Sequence, residues 1–460
     1  MELPRSFGGA ACLPIDAVPA PVRAAVLASG ESGYVYDLAV AKARAADLIA
    51  ALPAAARVCY AVKANSFVPL LEALAEVVHG FEVASVAEAR LAVAAATKVP
   101  KIARLAVTAA AEVPKSARLA VAAATEVPKS ARLVASGPAK NRAMLAALVG
   151  QEAQLTVNVE SLLELHRLSR VAVAAGREVA VALRVNPAQT PVSVDRATGL
   201  TMGGLASPFG LPEGEIPAAV AALGALPGVR FVGFHVHAVS GNMDAVRHAE
   251  YVRWALAWSV RTAARHGLEL QTVDVGGGLG IPFEPGPEFD LAAFGAALPE
   301  IPAGIELIFE PGRWLAGPAG WYAAEVVDVK HSYGTAFVVV RGGINHFQLP
   351  TSWEIRHNFA VLPVDNWPDG LPRPAAERTA VTVVGELCTP EDVLARDVTV
   401  VAVRAGDVLI FPNAGSYGFE FAMPAFLGHP PAARAALAIL DGERPGPHPA
   451  SRVDDLTSMG

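Results

Sequence analysis

Val58-Cys59-Tyr60-Ala61-Val62 is a short apolar run that stops at Lys63-Ala64-Asn65. Five such residues are too few for an amphipathic helix but suit a strand buried on both faces. Runs of the same kind recur at Phe81-Glu82-Val83-Ala84-Ser85, Leu155-Thr156-Val157-Asn158, Val179-Ala180-Val181-Ala182-Leu183, Phe231-Val232-Gly233-Phe234-His235-Val236 and Thr272-Val273-Asp274-Val275. Ala-rich helical stretches separate them, so the texture is that of βα units with parallel strands. The number of units fits a (β/α)8 TIM-like barrel over residues 33–318 better than an open sheet. Polar residues follow the strand ends, where such barrels carry their sites.

Beyond about residue 320 the pattern changes. Ala324 to Val329, Ala336 to Val340, Thr379 to Val384, Val398 to Val401 and Val408 to Phe411 read as strands between Gly/Pro turns, with little helix. The expected architecture is therefore α/β: the barrel plus a C-terminal antiparallel β domain over 319–460. Residues 1–32 precede the barrel pattern and are expected to join the β domain.

Size and composition narrow the function. At 460 residues, 53% apolar and 18% charged, the chain is globular and long enough for two domains. A net charge of −7 without basic runs gives no footprint for nucleic acid or an anionic membrane. Met1-Glu2-Leu3-Pro4-Arg5 lacks a secretory h-region, and charges or prolines interrupt every apolar stretch too early for a membrane span. Cys12, Cys59 and Cys388 form no CxxC pair, which suits a reducing cytoplasm and no structural zinc.

Residues 89–130 repeat with a 14-residue period: ARLAVAAATKVPKI, ARLAVTAAAEVPKS and ARLAVAAATEVPKS, followed by ARLVASGPAK. Pro100, Pro114 and Pro128 prevent one continuous helix. The period is short for a solenoid. One copy is expected to belong to the barrel, with the other 28 residues inserted.

Several residues at strand ends could carry chemistry. Lys63 could be a snorkelling surface lysine or an amine that bonds a carbonyl. Gly276-Gly277-Gly278 could be a tight turn or a cradle whose N–H groups approach a phosphate; Pro282 argues against a helix opening there in the Rossmann manner. Glu310-Pro311-Gly312-Arg313 could be a structural ion pair, or a carboxylate for a pyridine nitrogen beside an arginine for phosphate. His235 and His237 share a strand face, but no neighbouring acid or thiol set is evident in sequence, so no metal is expected. A stacked imidazole is the better use of His237. Cys388 could be a buried apolar residue or a proton donor. Tyr417 could be core or a phosphate ligand. In combination these are the parts needed to hold pyridoxal phosphate and cleave a bond at an amino-acid α-carbon.

In this order the motifs resemble the fold-type III pyridoxal-phosphate decarboxylases, the alanine racemase-like barrels that include diaminopimelate and ornithine decarboxylases, over about residues 30–425. The resemblance implies that Lys63 binds the cofactor covalently, that His237 stacks on its ring and that Glu310 pairs with the ring nitrogen. Ser240, Gly276, Gly277, Gly278, Gly312, Arg313 and Tyr417 would bind phosphate, and Arg184 and Glu82 would lie near the cofactor. Cys388 would supply a proton after CO2 leaves, reaching in from the partner subunit of a homodimer with shared sites. A racemase is less well matched, because Cys388 would be unexplained.

Two departures stand out. The usual His-x-Gly-Ser has Val239 at its glycine, and the acid that follows the cysteine in the diamine-forming members is Thr389 here. A distal ammonium would lack its buried partner at Thr389. Cys388-Thr389-Pro390 and Gly342 to Pro350 look most like the branch of carboxylate-siderophore biosynthesis, which decarboxylates adducts such as citryl-diaminopropionate. Asn345, His346, Arg356 and His357 would be donors to a polyanionic small-molecule substrate, or else turn and surface residues. The expected function is α-decarboxylation of such an intermediate by a cytoplasmic enzyme. The alternatives are a diaminopimelate or other basic amino-acid decarboxylase, and an inactive homologue that binds the cofactor.

Overall fold

The computed structural model describes residues 10–98, 131–188, 200–201, 206–284, 286–350, 353, 355 and 357–437. Eight parallel strands form the barrel: Ala56–Ala61, Gly80–Val83, Ala131–Ala135, Ala153–Val159, Val179–Asn186, Val229–His235, Thr272–Asp274 and Glu306–Phe309. Each pairs with the next, and the last returns to the first. Closure leaves no unpaired edge. Val58, Tyr60, Val157, Val181, Phe234, Val273 and Phe309 lie in one apolar core and are fully buried.

The surrounding helices begin where the sequence supplies caps. Asp37, Asn141, Ser161, Asp244 and Asp290 each accept a backbone N–H of the first helical turn. A cap of this kind contributes about 1 kcal/mol. Small residues such as Ala41 and Ala45 on Leu38–Ala51 let that helix lie close to the barrel.

Among the described residues the second sheet has nine strands. Gly320–Ser332 is its longest strand and pairs antiparallel with Gly33–Tyr36, Thr335–Val340 and Val408–Phe411. Phe359–Leu362, Ala375–Val384, Val393–Arg404, Cys12–Leu13 and Ala433–Ala436 complete it. Three pairings are parallel, so the sheet is mixed rather than wholly antiparallel. Gly33–Tyr36 lies in this sheet although its sequence position suggested the barrel. Its apolar alternation is equally compatible with either. The helix Ala20–Ser29 buries Val22 and Val26 against Val35, Trp321 and Ile410.

The first repeat copy supplies most of the barrel helix Val86–Lys98, and the truncated last copy supplies the strand Ala131–Ala135. The expected insertion, 103–130, lies outside the described residues, as does Arg356. Among the described residues no helix is long and apolar enough to cross a membrane.

Candidate active site

One polar side chain stands at or just beyond the carboxyl end of every barrel strand. In order around the barrel these are Lys63, Glu82, Ser136, Asn158, Arg184, His235, Asp274 and Glu310. Strand register makes them neighbours: Ala61 lies opposite Glu82, and His235 lies opposite both Arg184 and Asp274. All are buried except Lys63, whose side chain is 43% exposed.

Lys63 Nζ meets Glu82 Oε2 at 2.9 Å, and Glu82 is completely buried. Desolvation pulls the Lys63 ammonium down, but the negative charge around it, that of Glu82 foremost, outweighs this and leaves the pKa raised. Lys63 is thus held charged. Lys63, His237, Ser240, Gly277, Gly278, Glu310, Gly312, Arg313 and Tyr417 all line one cavity.

At one end of that cavity Arg313 is 8% exposed and makes no ion pair among the described residues. Its guanidinium lies over Trp353 at 4.4 Å, Tyr417 at 5.2 Å and Phe283 at 5.5 Å. A buried cation without a counter-charge is costly unless an anion arrives. The glycine turn faces it, with Gly276 at φ +68° and Gly278 at φ +104°. A Cβ on Gly276 would strike the His237 ring, and one on Gly277 would strike the Glu310 carbonyl. Gly276 itself is not on the cavity wall; its missing side chain makes room for His237. Val239 pairs as a strand with Thr201, and Gly241, two residues on, adopts φ +72°. Tyr417 adopts φ +65°, a rare conformation for a non-glycine residue, and its N–H donates to the Ala64 carbonyl at 2.7 Å. That bond ties the β domain to the Lys63 turn.

Burial, reinforced by the Lys63 charge, holds His237 well below the usual imidazole range. It is therefore a neutral flat ring. Arg184 is not on the cavity wall. Its Nη1 donates to Glu160 Oε1 at 2.9 Å, and Glu160 also faces the buried Lys140. From there Arg184 bears on His235 and His237 through its charge. The acids missed beside His235 are also present. His235, Asp274 and Glu310 place ligand-type atoms within 4.8 Å of one another, all buried. Asp274 could have been flagged as an acid in the middle of a β-branched strand.

The remaining expected site residues form a second group in the β domain. Asp392 accepts the N–H groups of Ile344 and Leu387, each at 2.8 Å, and so stitches the Asn345-His346 turn to the Cys388 loop. Asn345 Nδ2 donates to Glu386 at 3.0 Å. Both His346 nitrogens are engaged, with Tyr322 Oη at 3.5 Å and the Pro430 carbonyl at 2.8 Å. His357 is half-buried, and desolvation pushes its pKa down to about 4. Cys388 is exposed, with Thr389 beside it, and neither lines the Lys63 cavity of its own chain.

Pyridoxal phosphate fits these residues. The uncompensated Arg313 and the glycine turn suit its phosphate, and the unpartnered buried Oε1 of Glu310 suits a ring nitrogen. Lys63 supplies the amine. Comparison with known proteins agrees. The family described as "Pyridoxal-dependent decarboxylase, C-terminal sheet domain" matches residues 33–415. The Staphylococcus aureus 2-[(L-alanin-3-ylcarbamoyl)methyl]-2-hydroxybutanedioate decarboxylase is 30% identical, covering 86% of this chain and 92% of its own. An Archaeoglobus fulgidus diaminopimelate decarboxylase is 34% identical over 67% of this chain and 71% of its own. In fold, the Helicobacter pylori diaminopimelate decarboxylase complexed with L-lysine superposes with a TM-score of 0.69 at 22% identity, covering 88% of this chain and 91% of its own. With a closed barrel, a lysine–acid pair at its mouth and a match over most of its length, the chain belongs to the pyridoxal-dependent decarboxylases.

Proposed function

We propose that the chain removes the α-carboxylate of an amino-acid substrate whose distal end carries carboxylates, a citrate amide of diaminopropionate being the form that fits best. The observation that carries this reading is Thr389, an uncharged residue where the diamine-forming members place an acid. The S. aureus relative supports it. Its named substrate joins citrate by an amide to a 2,3-diamino acid, leaving an α-amino acid at one end and two carboxylates at the other. A carboxylate beside Cys388 would repel that end.

When bound, pyridoxal phosphate supplies the electron sink for the pair left behind by CO2. Lys63, His237, Ser240, Gly276 to Gly278, Glu310, Gly312, Arg313 and Tyr417 would hold it, with Arg184 set one place behind. Glu82 fixes the Lys63 amine and holds its proton until the cofactor arrives. Arg313, stacked among aromatic rings, draws the anionic end. Cys388 of a second copy gives its Sγ proton to the carbon that has lost CO2, so the active unit is a homodimer. Three unpaired cysteines are in keeping with a cytoplasmic setting.

The test is CO2 release by purified, cofactor-loaded protein from the citryl adduct, diaminopimelate, ornithine, lysine and arginine. Release from the citryl adduct alone, abolished by Lys63→Ala, is expected. Release from diaminopimelate or a diamine precursor would overturn the substrate and keep the reaction. Cofactor bound with no release from any of the five would favour an inactive homologue.

A further inference from the structure

The polar ring carries more acid than base. Lys63 answers Glu82, and Glu160 answers Arg184. Asp274 and Glu310 remain, on adjacent strands, at 1% and 5% exposure. Burial and the nearby Arg184 and His237 keep His235 neutral, so it brings no counter-charge. Asp274 Oδ1 accepts the Gly276 N–H at 2.9 Å, whereas Asp274 Oδ2 and Glu310 Oε1 have no partner. Around the pair stand Lys63 and Glu82 from the first two strands, Asn158 from the fourth and His235 from the sixth. Two carboxyls this close in a dry site do not both ionise. Burial, then the Asp274 charge, pushes Glu310 well above the usual carboxylate range. Burial pushes Asp274 up to about 6, against the neighbouring Glu310 carboxyl and the Gly276 N–H, which pull it down.

We propose that Asp274 is a positioning residue that shares one proton with Glu310 in the cofactor-free protein, and that Glu310 hands this proton to the pyridine nitrogen as the cofactor enters. The carboxyl O–H bond of Glu310 breaks and an N–H bond forms on the ring. Glu310 is left as a carboxylate against a pyridinium, and the proton has moved within the site without uptake from solvent. The inference rests on cofactor binding at this site and goes beyond it by naming where the proton comes from and which residue keeps it there.

Infrared difference spectroscopy of the cofactor-free protein at neutral pH, before and after adding pyridoxal phosphate, reads the proton directly. Glu164, pushed up to about 7 chiefly by burial, also contributes acid signal, so the difference spectrum is the quantity to follow. The carbonyl stretch of a protonated acid should bleach on cofactor addition in wild type and be missing in Glu310→Gln. Asp274→Asn removes the like charge, so Glu310 ionises. Its bleach should vanish, and cofactor binding should then take up from solvent one proton that wild type does not, read from the pH dependence of affinity. Should Asp274→Asn fail to fold, Glu310→Gln decides: a bleach that survives it overturns the proposal. Cofactor binding to wild type with no bleach also overturns it, as does an Asp274→Asn protein that keeps the bleach. Failure of wild type to bind cofactor at all would sink the cofactor reading and the proposal together.

Discussion

Glu82 sets the state of the reactive amine, and the sign of its effect follows from charge. Burial alone disfavours the Lys63 ammonium, while the adjacent carboxylates favour it and prevail. Glu82→Gln keeps the shape and removes the nearer charge. The pH at which Lys63 of the cofactor-free protein reacts with an amine-selective reagent, followed by mass spectrometry, should move down. An unchanged profile would mean that Glu82 does not set the state of the lysine. Gly276 is constrained in a different way, since its φ of +68° and the His237 ring pressed against its Cα both exclude a side chain. Gly276→Ala should cost about 2–4 kcal/mol from left-handed strain and overpacking together, read from denaturant midpoints. It should also release cofactor on dialysis, because His237 has to move. A variant as stable as wild type would show that the turn relaxes freely.

At the level of elements, the tripeptide Ala-Arg-Leu is helical at 89–91 and extended at 131–133. Only the flanks differ. Before the first copy, Ser85 Oγ accepts the Glu88 N–H at 3.1 Å and Glu88 accepts the Ala84 N–H at 2.6 Å, which starts a helix. After the second come Gly137 and Pro138, which forbid one. This is why Ala131–Ala135, hidden in the repeat, was not legible as a strand. The six strands that were read share dense apolar runs ending in a polar residue. Gly33–Tyr36, expected in the barrel, belongs to the second sheet, because pairing partners nearly three hundred residues away decide it. The site followed the same logic. Lys63, His237, Ser240, Gly277, Gly278, Glu310, Gly312, Arg313 and Tyr417 follow strand or loop motifs with local signatures, and they do meet in one cavity. Asp274 has a local signal, an acid inside the β-branched run Thr272 to Val275, but its nearness to Glu310 comes from pairing between strands. Since the helix ends at Lys98 and the strand begins at Ala131, deleting 103–130 leaves Val99 to Ile102 as the connection. Four residues is an ordinary αβ linkage. The deletion should preserve soluble yield and cofactor content, with Tm changed by no more than about 4 °C. Loss of cofactor in a folded deletion protein would give the repeats a part in the site.

At the scale of the whole molecule, the two groups of site residues are separated within one chain. The barrel mouth holds the amine, the anion-binding arginine and the buried carboxyls, and the β domain holds Cys388, which is exposed and off the cavity wall. The Cys388 loop is stiff, because Asp392 pins it to the Asn345 turn through two 2.8 Å hydrogen bonds, so it does not swing inward readily. Tyr417 and Asn65 fasten the β domain to the Lys63 turn at 2.7 Å each, which opposes a hinge between the domains. On the proposed reading, in which the Cys388 thiol serves the cavity, it would come from a second copy. Lys63→Ala and Cys388→Ala proteins should each be nearly inactive alone. If they are mixed equally and allowed to exchange subunits, half the dimers are hybrids, each with one intact site of two. Activity should then recover to about a quarter of wild type. A mixture no more active than its components, with exchange demonstrated by mass, would place the thiol and the amine of each site on the same chain.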